Sequence, residues 1–511
     1  MNRQISRVAV VGLGLLAALI VGTTYWQTWA TAGLAAREDN EIQRVAQLEI
    51  DRGLILTSNG KTLLAGNTKQ VIAGQTIFNR AYPSHGLASQ TVGYSTASRS
   101  RSGIEESEND YLTASNADLG SILNTVGDHL TGATVKGNSL VLTINAKAQR
   151  LAQQLLAGKC GAAVLINPKT GAIEVMASNP GFNPNLISKP GGYARIEATK
   201  SPCPPEAASP LLNRATQSRF PPGSTFKTIT AAAALDDGLY KPNSIFNDPG
   251  YCTEYGKKIS NALDQSSPEA YGRVNMVEAY EHSINAVFCN IGMKLGAKRL
   301  LDEAKKFGFY SIPPLETPSD SRVASGLVDK QGNLFDPKTA AQYSEVDTGR
   351  TAFGQANMLA TPLQMALVAA AVANHGTEMK PTLIKKVLDP SGSVIAQLHP
   401  HVLRQATKPT TAAELKNMMV EAVQAGTGTA AQIPGVVVAG KTGTAETCSC
   451  NKVYDAWFIF FAPAENPTVA GAVVVEIQPG GFGGAIAAPI AKQLMQAILP
   501  PTPNSTGTLG N

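Results

Sequence analysis

Charge is scarce in this chain: 16% of its 511 residues are Asp, Glu, Lys or Arg, and the net balance is +5. No concentrated basic stripe accompanies that mild excess, which argues against a dedicated nucleic-acid binder. No repeat of 20–50 residues is present, which excludes solenoids and propellers. The 47 Gly and 31 Pro are scattered rather than periodic, so a collagen-like rod is excluded too. Low-complexity sequence is confined to residues 500–511, expected as a disordered tail. Regular βαβ alternation is missing, which counts against a doubly wound nucleotide fold. The Cys448-x-Cys450 pair has no second Cys/His pair at ligand spacing, so no metal centre is expected.

What is present begins with one long apolar run. Val8 to Tyr25 holds 18 residues without a charge, preceded by Arg3 and Arg7 and closed by Trp26 and Trp29. That length suits a membrane-crossing helix with its positive end in the cytoplasm and aromatics at the far interface. Ala30-Thr31-Ala32 offers a rival, a cleaved leader, but the run exceeds the 7–15 residues of an ordinary leader core. A single-pass anchor over 1–31 is expected, with everything after it outside the cytoplasm. Six cysteines (Cys160, Cys203, Cys252, Cys289, Cys448, Cys450) then sit where disulfides persist, and six allow 15 pairings.

The length requires more than one core. Residues 32–140 read as a small β-rich domain, with a strand at Ile50–Leu56, a turn at Ser58–Lys61, and a Ser- and Glu-rich loop from Ser95 to Asn109. From Leu140 the pattern changes. A strand "LVLTIN", a helix over Ala146–Leu156 and a hairpin turned by Asn167–Gly171 come first. Helical patterns over Phe226–Leu235, Met276–Leu295 and Leu363–Ala373 fill the middle, and strands "GVVVAGKTG", "AWFIFFAP" and "TVAGAVVVEI" return at the end. Strands at both ends with helices between imply an α+β domain over 141–499, an antiparallel sheet faced by helices.

The stretch Gly435–Thr442 can be read two ways. As G-x-x-x-x-G-K-T it imitates a phosphate-binding loop. Its intervening Val436-Val437-Val438-Ala439 are built to stay extended, Gly443-Thr444 start helices badly, and ATP is scarce outside a membrane. As Lys441-Thr442-Gly443 it is one part of a serine-nucleophile site. Ser224-Thr225-Phe226-Lys227 supplies an S-x-x-K on one helical face, behind the break at Pro221-Pro222-Gly223. Ser283-Ile284-Asn285 supplies an S-x-N 59 residues later, and K-T-G follows after a further 158. Each motif alone is a common helix start or turn; the ordered set is not.

With these motifs stand the longer blocks "RGLIL", "INPKTGAIEVMASNPGFNPN", "NRATQSRFPPGSTFK", "AFGQANMLATPLQMA", "AGKTGTAE" and "AAPIAKQLM". On them the chain resembles class B penicillin-binding proteins, peptidoglycan D,D-transpeptidases, and most closely their actinobacterial penicillin-binding protein A group. Two departures are the C-S-C after K-T-G-T-A-E and a short N-terminal region. The resemblance implies a penicillin-binding/β-lactamase-like transpeptidase domain standing on an N-terminal pedestal or dimerisation-like domain. It implies Ser224 as nucleophile, Lys227 as its base, Ser283 as proton relay and Asn285 as orienter. Lys441, Thr442, Gly443 and Thr444 would bind the substrate carboxylate, and the backbone N–H groups of Ser224 and Thr444 would form the oxyanion hole. Lys227 must be neutral, so its pKa near 10.4 has to fall by about two or three units, with Lys441 as a second cation.

No cofactor, metal or nucleic acid is implied. The implied partners are donor and acceptor stem peptides, β-lactams that acylate Ser224, and a separate integral-membrane glycan polymerase, in cell-wall synthesis during growth or division. Because S-x-N and K-T-G line one cleft in that family, a disulfide from Cys289 to Cys448 or Cys450 is expected, with Cys203–Cys252 a looser pairing. His282 is expected to point away from Ser283 and to be structural. His85, His129 and His375 read as solvated, Trp457 and Phe458 as strand core, and Glu446 as either a substrate contact or a surface residue. Rival functions are an ATPase, a β-lactamase, which needs an acid to activate water, and a silent antibiotic sensor.

Overall fold

The branched and aromatic runs late in the chain build the central sheet. The computed structural model describes residues 2–25, 47–72, 74–96, 100–115, 134–261, 269–448, 453–479 and 481–500. Strands β1 (Cys160–Ile166), β2 (Ile173–Asn179), β3 (Ala439–Cys448), β4 (Val453–Ala462) and β5 (Val469–Pro479) form one antiparallel sheet in the order β3-β4-β5-β1-β2. Helices α1 (Ala146–Leu156), α4 (Pro362–Ala373) and α5 (Gly483–Ile498) pack on it, and α2 (Lys227–Asp236) and α3 (Asn285–Leu295) pack against each other in a helical layer beside it. Both faces are covered, so alternate residues enter different cores. Trp457, Ile459 and Phe461 of β4 pack on the side of α4. Phe458 and Phe460 pack on the side of α1 and α5. Every residue of α4 is buried, which suits a helix apolar all round.

A second sheet has six strands in the order Val394–Gln397, Ile384–Leu388, Ser139–Leu142, Ile55–Leu56, Leu63–Ile72, Gln75–Ala81. Ile55–Leu56 runs parallel to Ser139–Leu142; the other pairings are antiparallel. Residues near 390 thus complete a sheet begun near 55. Beneath it Arg52 and Arg80 both bind the carboxylate of Glu105, at 3.0 and 2.6 Å, with all three side chains buried.

Several expectations need correction. The segment Ser95–Asn109 holds paired two-residue strands at Ser95–Thr96 and Ser100–Arg101 and a turn of helix at Ile104–Ser107. The helix read over Met276–Leu295 is two helices, Met276–Glu281 and α3, broken at the S-x-N motif. Both disulfide expectations fail. Cys252 binds Cys289, and Cys160 binds Cys203. Cys252 sits in a hairpin, Tyr251–Glu254 with Lys257–Ser260, that packs directly against α3, so it reaches Cys289 first. Cys450, His129, Trp26, Trp29 and residues 501–511 lie outside the described residues, as does the side chain of Cys448.

At the N-terminus Asn2–Thr24 is helical, with Val10, Leu13, Leu16 and Leu19 exposed. Among the described residues no helix is long and apolar enough to cross a membrane.

Candidate active site

Proline and glycine start the site. Pro221-Pro222 ends the incoming chain, and Gly223 turns it with φ 53°. Gly223–Phe226 is a 3-10 turn that runs straight into α2, so Ser224 sits on the turn and Lys227 at the first position of the helix. Strand β3 crosses close in front. A Cβ on Gly443 would lie 2.7 Å from the carbonyl oxygen of Pro222 and 2.9 Å from Trp457 Cβ, so only glycine admits this approach. Trp457 Nε1–H donates to the carbonyl of Pro221 at 2.9 Å and holds the turn against the sheet.

The S-x-N motif is positioned by a helix terminus. Ser283 N–H donates to the carbonyl of Tyr280 and Ile284 N–H to that of Ala279, at 3.2 and 2.9 Å. This is the Schellman pattern, whose left-handed position normally holds glycine. Here Ser283 occupies it with φ 61°, a conformation that costs a non-glycine residue roughly 1–2 kcal/mol. The bend aims both the carbonyl and the hydroxyl of Ser283 at Lys227. Lys227 Nζ donates to Ser283 O at 2.5 Å, Asn285 Oδ1 at 2.8 Å and Ser283 Oγ at 3.2 Å. Asn285 in turn donates to the carbonyls of Ser260 and Asn261.

A cleft of about 660 Å³ joins these pieces. Ser224, Ser283, Asn285, Thr442 and Thr444 all line it. Lys227 and Lys441 lie just beneath, both fully buried. Burial pushes the Lys227 amine well below its ordinary range, and the nearby Lys441 pushes it further. Burial alone brings Lys441 down to about 7. Lys441 therefore loses much of its charge near neutrality, and as a second cation it is weaker than the sequence implied. Its Nζ lies 5.4 Å from the ring centre of Tyr280 and 3.5 Å from the carbonyl of its neighbour Thr442. Thr442 Oγ1 and Thr427 Oγ1 share a 2.6 Å hydrogen bond, and Thr444 Oγ1 accepts from Gly483 N–H at 3.2 Å.

The phosphate-loop frame fails structurally. Lys441 lies inside β3, paired with Ile459, and the strand continues to Cys448 where a nucleotide loop needs a helix. His282 lies on the outer rim of the cleft, its ring stacked on Tyr271 at 5.3 Å. Glu446 lines the cleft as well.

Arg350 is a lining residue that sequence reasoning missed. Asp347 caps the short helix Thr348–Thr351 and accepts from Arg350 Nη1 at 2.8 Å. Behind it Glu254 accepts from Gly349 N–H at 2.7 Å. Burial and a hydrogen bond given to Asp347 push Glu254 up to about 7; against burial, hydrogen bonds from Glu254 and Arg350 hold Asp347 low. Glu254 belongs to the hairpin that Cys252 ties to Cys289 on α3, so one cross-linked block supports both Arg350 and Asn285. The aspartate three residues before Arg350 was the available sequence signal, a helix cap beside "TAFGQAN".

Comparison with known proteins agrees with this geometry. Residues 161–496 match the penicillin-binding protein transpeptidase domain, and residues 52–140 match the penicillin-binding protein A dimerisation domain. The peptidoglycan D,D-transpeptidase PbpA of Mycolicibacterium smegmatis is 32% identical, over 98% of this chain and 99% of its own. PbpA of Mycobacterium tuberculosis is 33% identical over the same shares. Among solved structures, penicillin-binding protein A from M. tuberculosis as its ceftriaxone acyl-enzyme complex superposes with a TM-score of 0.77 at 30% identity, covering 89% of this chain and 100% of that one. The D,D-transpeptidase domain from Eggerthella lenta gives 0.73 at 32%, over 88% and 98%. By sequence, fold and the placement of its three motifs, this chain belongs to the penicillin-binding protein transpeptidase family.

Proposed function

We propose that this chain is a serine-type peptidoglycan D,D-transpeptidase that cross-links stem peptides through an acyl-enzyme on Ser224, and that β-lactams acylate the same serine. The observation that carries the reading is the convergence of S-x-x-K, S-x-N and K-T-G on one cleft, with Lys227 clamped between Ser283 and Asn285. A serine hydroxyl needs a base to attack at neutral pH, and burial with Lys441 nearby weakens the hold of Lys227 on its proton, which suits it to that role. Ser224 Oγ attacks the carbonyl between the two terminal D-alanines and passes its proton to Lys227. The oxyanion forms at the N–H groups of Ser224 and Thr444, donors typically worth a few kcal/mol of barrier. Ser283, already within reach of Lys227, carries the proton to the departing D-alanine. The acceptor amine then attacks the ester, gives up a proton by the same route and frees Ser224.

Lys441 with Thr442 and Thr444 receives the terminal carboxylate, and the anion restores to Lys441 the charge that burial removes. The N-terminal helix is read as a single-pass anchor, supported by the charge-free run Val8–Tyr25 and its exposed leucines and valines. The catalytic domain then lies outside the cytoplasm, and glycan polymerisation falls to an integral-membrane partner. Labelling with a fluorescent penicillin, wild type beside Ser224→Ala, tests the reading. Label on wild type alone is expected; label kept by the variant, or absent from both, refutes it.

A further inference from the structure

Strand β3 is an edge of its sheet, bonded to β4 alone, and its side chains reach the cleft. Residues two apart on a strand share a face, so Thr442, Thr444 and Glu446 form a row along that wall. Glu446 is exposed and, among the described residues, is the only acidic side chain lining the cleft. Its cross-strand partner is Tyr454, whose ring stacks on Phe482 at 6.5 Å and 15°. Phe482 also lines the cleft and is 53% exposed, unusual for so large an apolar side chain. A carboxylate beside an exposed aromatic ring suits an aliphatic ammonium: the charge meets the carboxylate while the methylenes lie against Phe482, which the buried Tyr454 backs from behind.

The direction of a bound peptide decides what reaches this corner, and here the inference rests on the function proposed above. With the scissile carbonyl at the N–H groups of Ser224 and Thr444 and the terminal carboxylate at Lys441 and Thr442, the donor continues past Thr444. At about 3.3 Å per residue its next side chain upstream comes within reach of Glu446. Donor and acceptor are segments of one polymer, and the acceptor must present an amine for a peptide bond to form. The donor stem therefore carries that amine as well. We propose that Glu446, with Phe482, is a specificity-determining subsite for a side-chain ammonium on the donor stem, upstream of its terminal D-alanine pair. No bond is made or broken there; the subsite selects and orients the donor.

The test uses the full chain and two synthetic peptides ending in D-Ala-D-Ala, identical except that the side-chain amine before the pair is free or acetylated. The readout is exchange of the terminal D-alanine for a labelled D-amino acid, with penicillin acylation measured alongside. Wild type should prefer the free amine by about tenfold in kcat/KM, mostly through KM, and added salt should shrink the preference. Glu446→Gln should abolish it by slowing the free-amine donor alone, leaving the acetylated donor and penicillin within about twofold. Equal use of both donors by a wild type that penicillin still labels overturns the subsite alone. So does Glu446→Gln slowing both donors and penicillin alike. A wild type that penicillin does not label overturns the transpeptidase reading, and the subsite with it.

Discussion

Two buried lysines lie side by side beneath the cleft, and their surroundings assign them different work. Lys227 Nζ has three oxygen acceptors within 3.2 Å, so replacing it strands the carbonyl of Ser283 and the amide of Asn285. Among the described residues, Lys441 has only a 3.5 Å contact to a neighbouring carbonyl and the face of Tyr280. Burying an amine with so few partners weakens the fold. Its folded pKa of about 7 lies below the ordinary 10.5, so between those pH values the unfolded chain holds more protons and stability rises with pH. The slope is at most about 1.36 kcal/mol per pH unit from this group, and the full cost is present below pH 7. Lys441→Met should therefore raise the denaturation midpoint at pH 7, lose that advantage by pH 10.5, and abolish penicillin acylation. In wild type, acylation by a carboxylate-bearing β-lactam should decline in kcat/KM as pH passes about 7, because the free enzyme's Lys441 discharges there. A variant less stable than wild type at pH 7 contradicts this account.

At the scale of elements, the regular parts were legible and the joints were not. Ala146–Leu156, the hairpin at Asn167–Gly171 and most of the late strands were legible because burial on one or both faces marks the residues, although the strand read from Gly435 begins only at Ala439. The break at S-x-N was hidden because a serine fills a helix-ending position where glycine would have announced it. Motif order singled out Ser224, Lys227, Ser283, Asn285 and Lys441, which the structure places in or just beneath one cleft, but their support for one another left no mark in the sequence. Disulfide pairing was illegible in principle: it depends on which hairpin lies on α3, a tertiary fact. The actual pairing carries a prediction. Replacing Cys252 and Cys289 by Ser should cost about 2–4 kcal/mol and also slow acylation, since the block behind Asn285 and Arg350 loosens. Replacing Cys160 and Cys203 should cost similar stability while leaving the acylation rate near wild type, because that bond joins β1 to a loop that does not line the cleft. Urea unfolding beside stopped-flow penicillin labelling separates the two cases, and equal slowing by both pairs would contradict the assignment.

Across the whole molecule, the division into an N-terminal domain and a catalytic domain at residue 140 describes the sequence better than it describes the sheets. The six-stranded sheet interleaves both: Ser139–Leu142 lies between Ile55–Leu56 and Ile384–Leu388. Thr143 N–H donates to the carbonyl of Leu383 at 2.8 Å, and Leu140, Leu142, Leu383 and Val387 are buried against one another's strands. Composition changes near residue 140, which is why the boundary was read there, but pairing between segments some 245 residues apart leaves no local pattern. A chain cut to residues 141–499 would lose half of the partner strand of Ile384–Leu388 and all of Ile55–Leu56 on its other side, exposing unpaired N–H and C=O groups next to apolar side chains, the arrangement that seeds edge-to-edge aggregation. A chain beginning at residue 47 keeps every strand of that sheet and the Arg52–Glu105–Arg80 cluster. The shorter fragment should therefore aggregate, or melt well below the longer one, and take up penicillin slowly. The longer fragment should remain monodisperse and label at the full-length rate. Size-exclusion chromatography, thermal melts and labelling of the two fragments side by side decide the matter, and a soluble 141–499 with unchanged melting point and rate would show that the shared sheet is dispensable to the site.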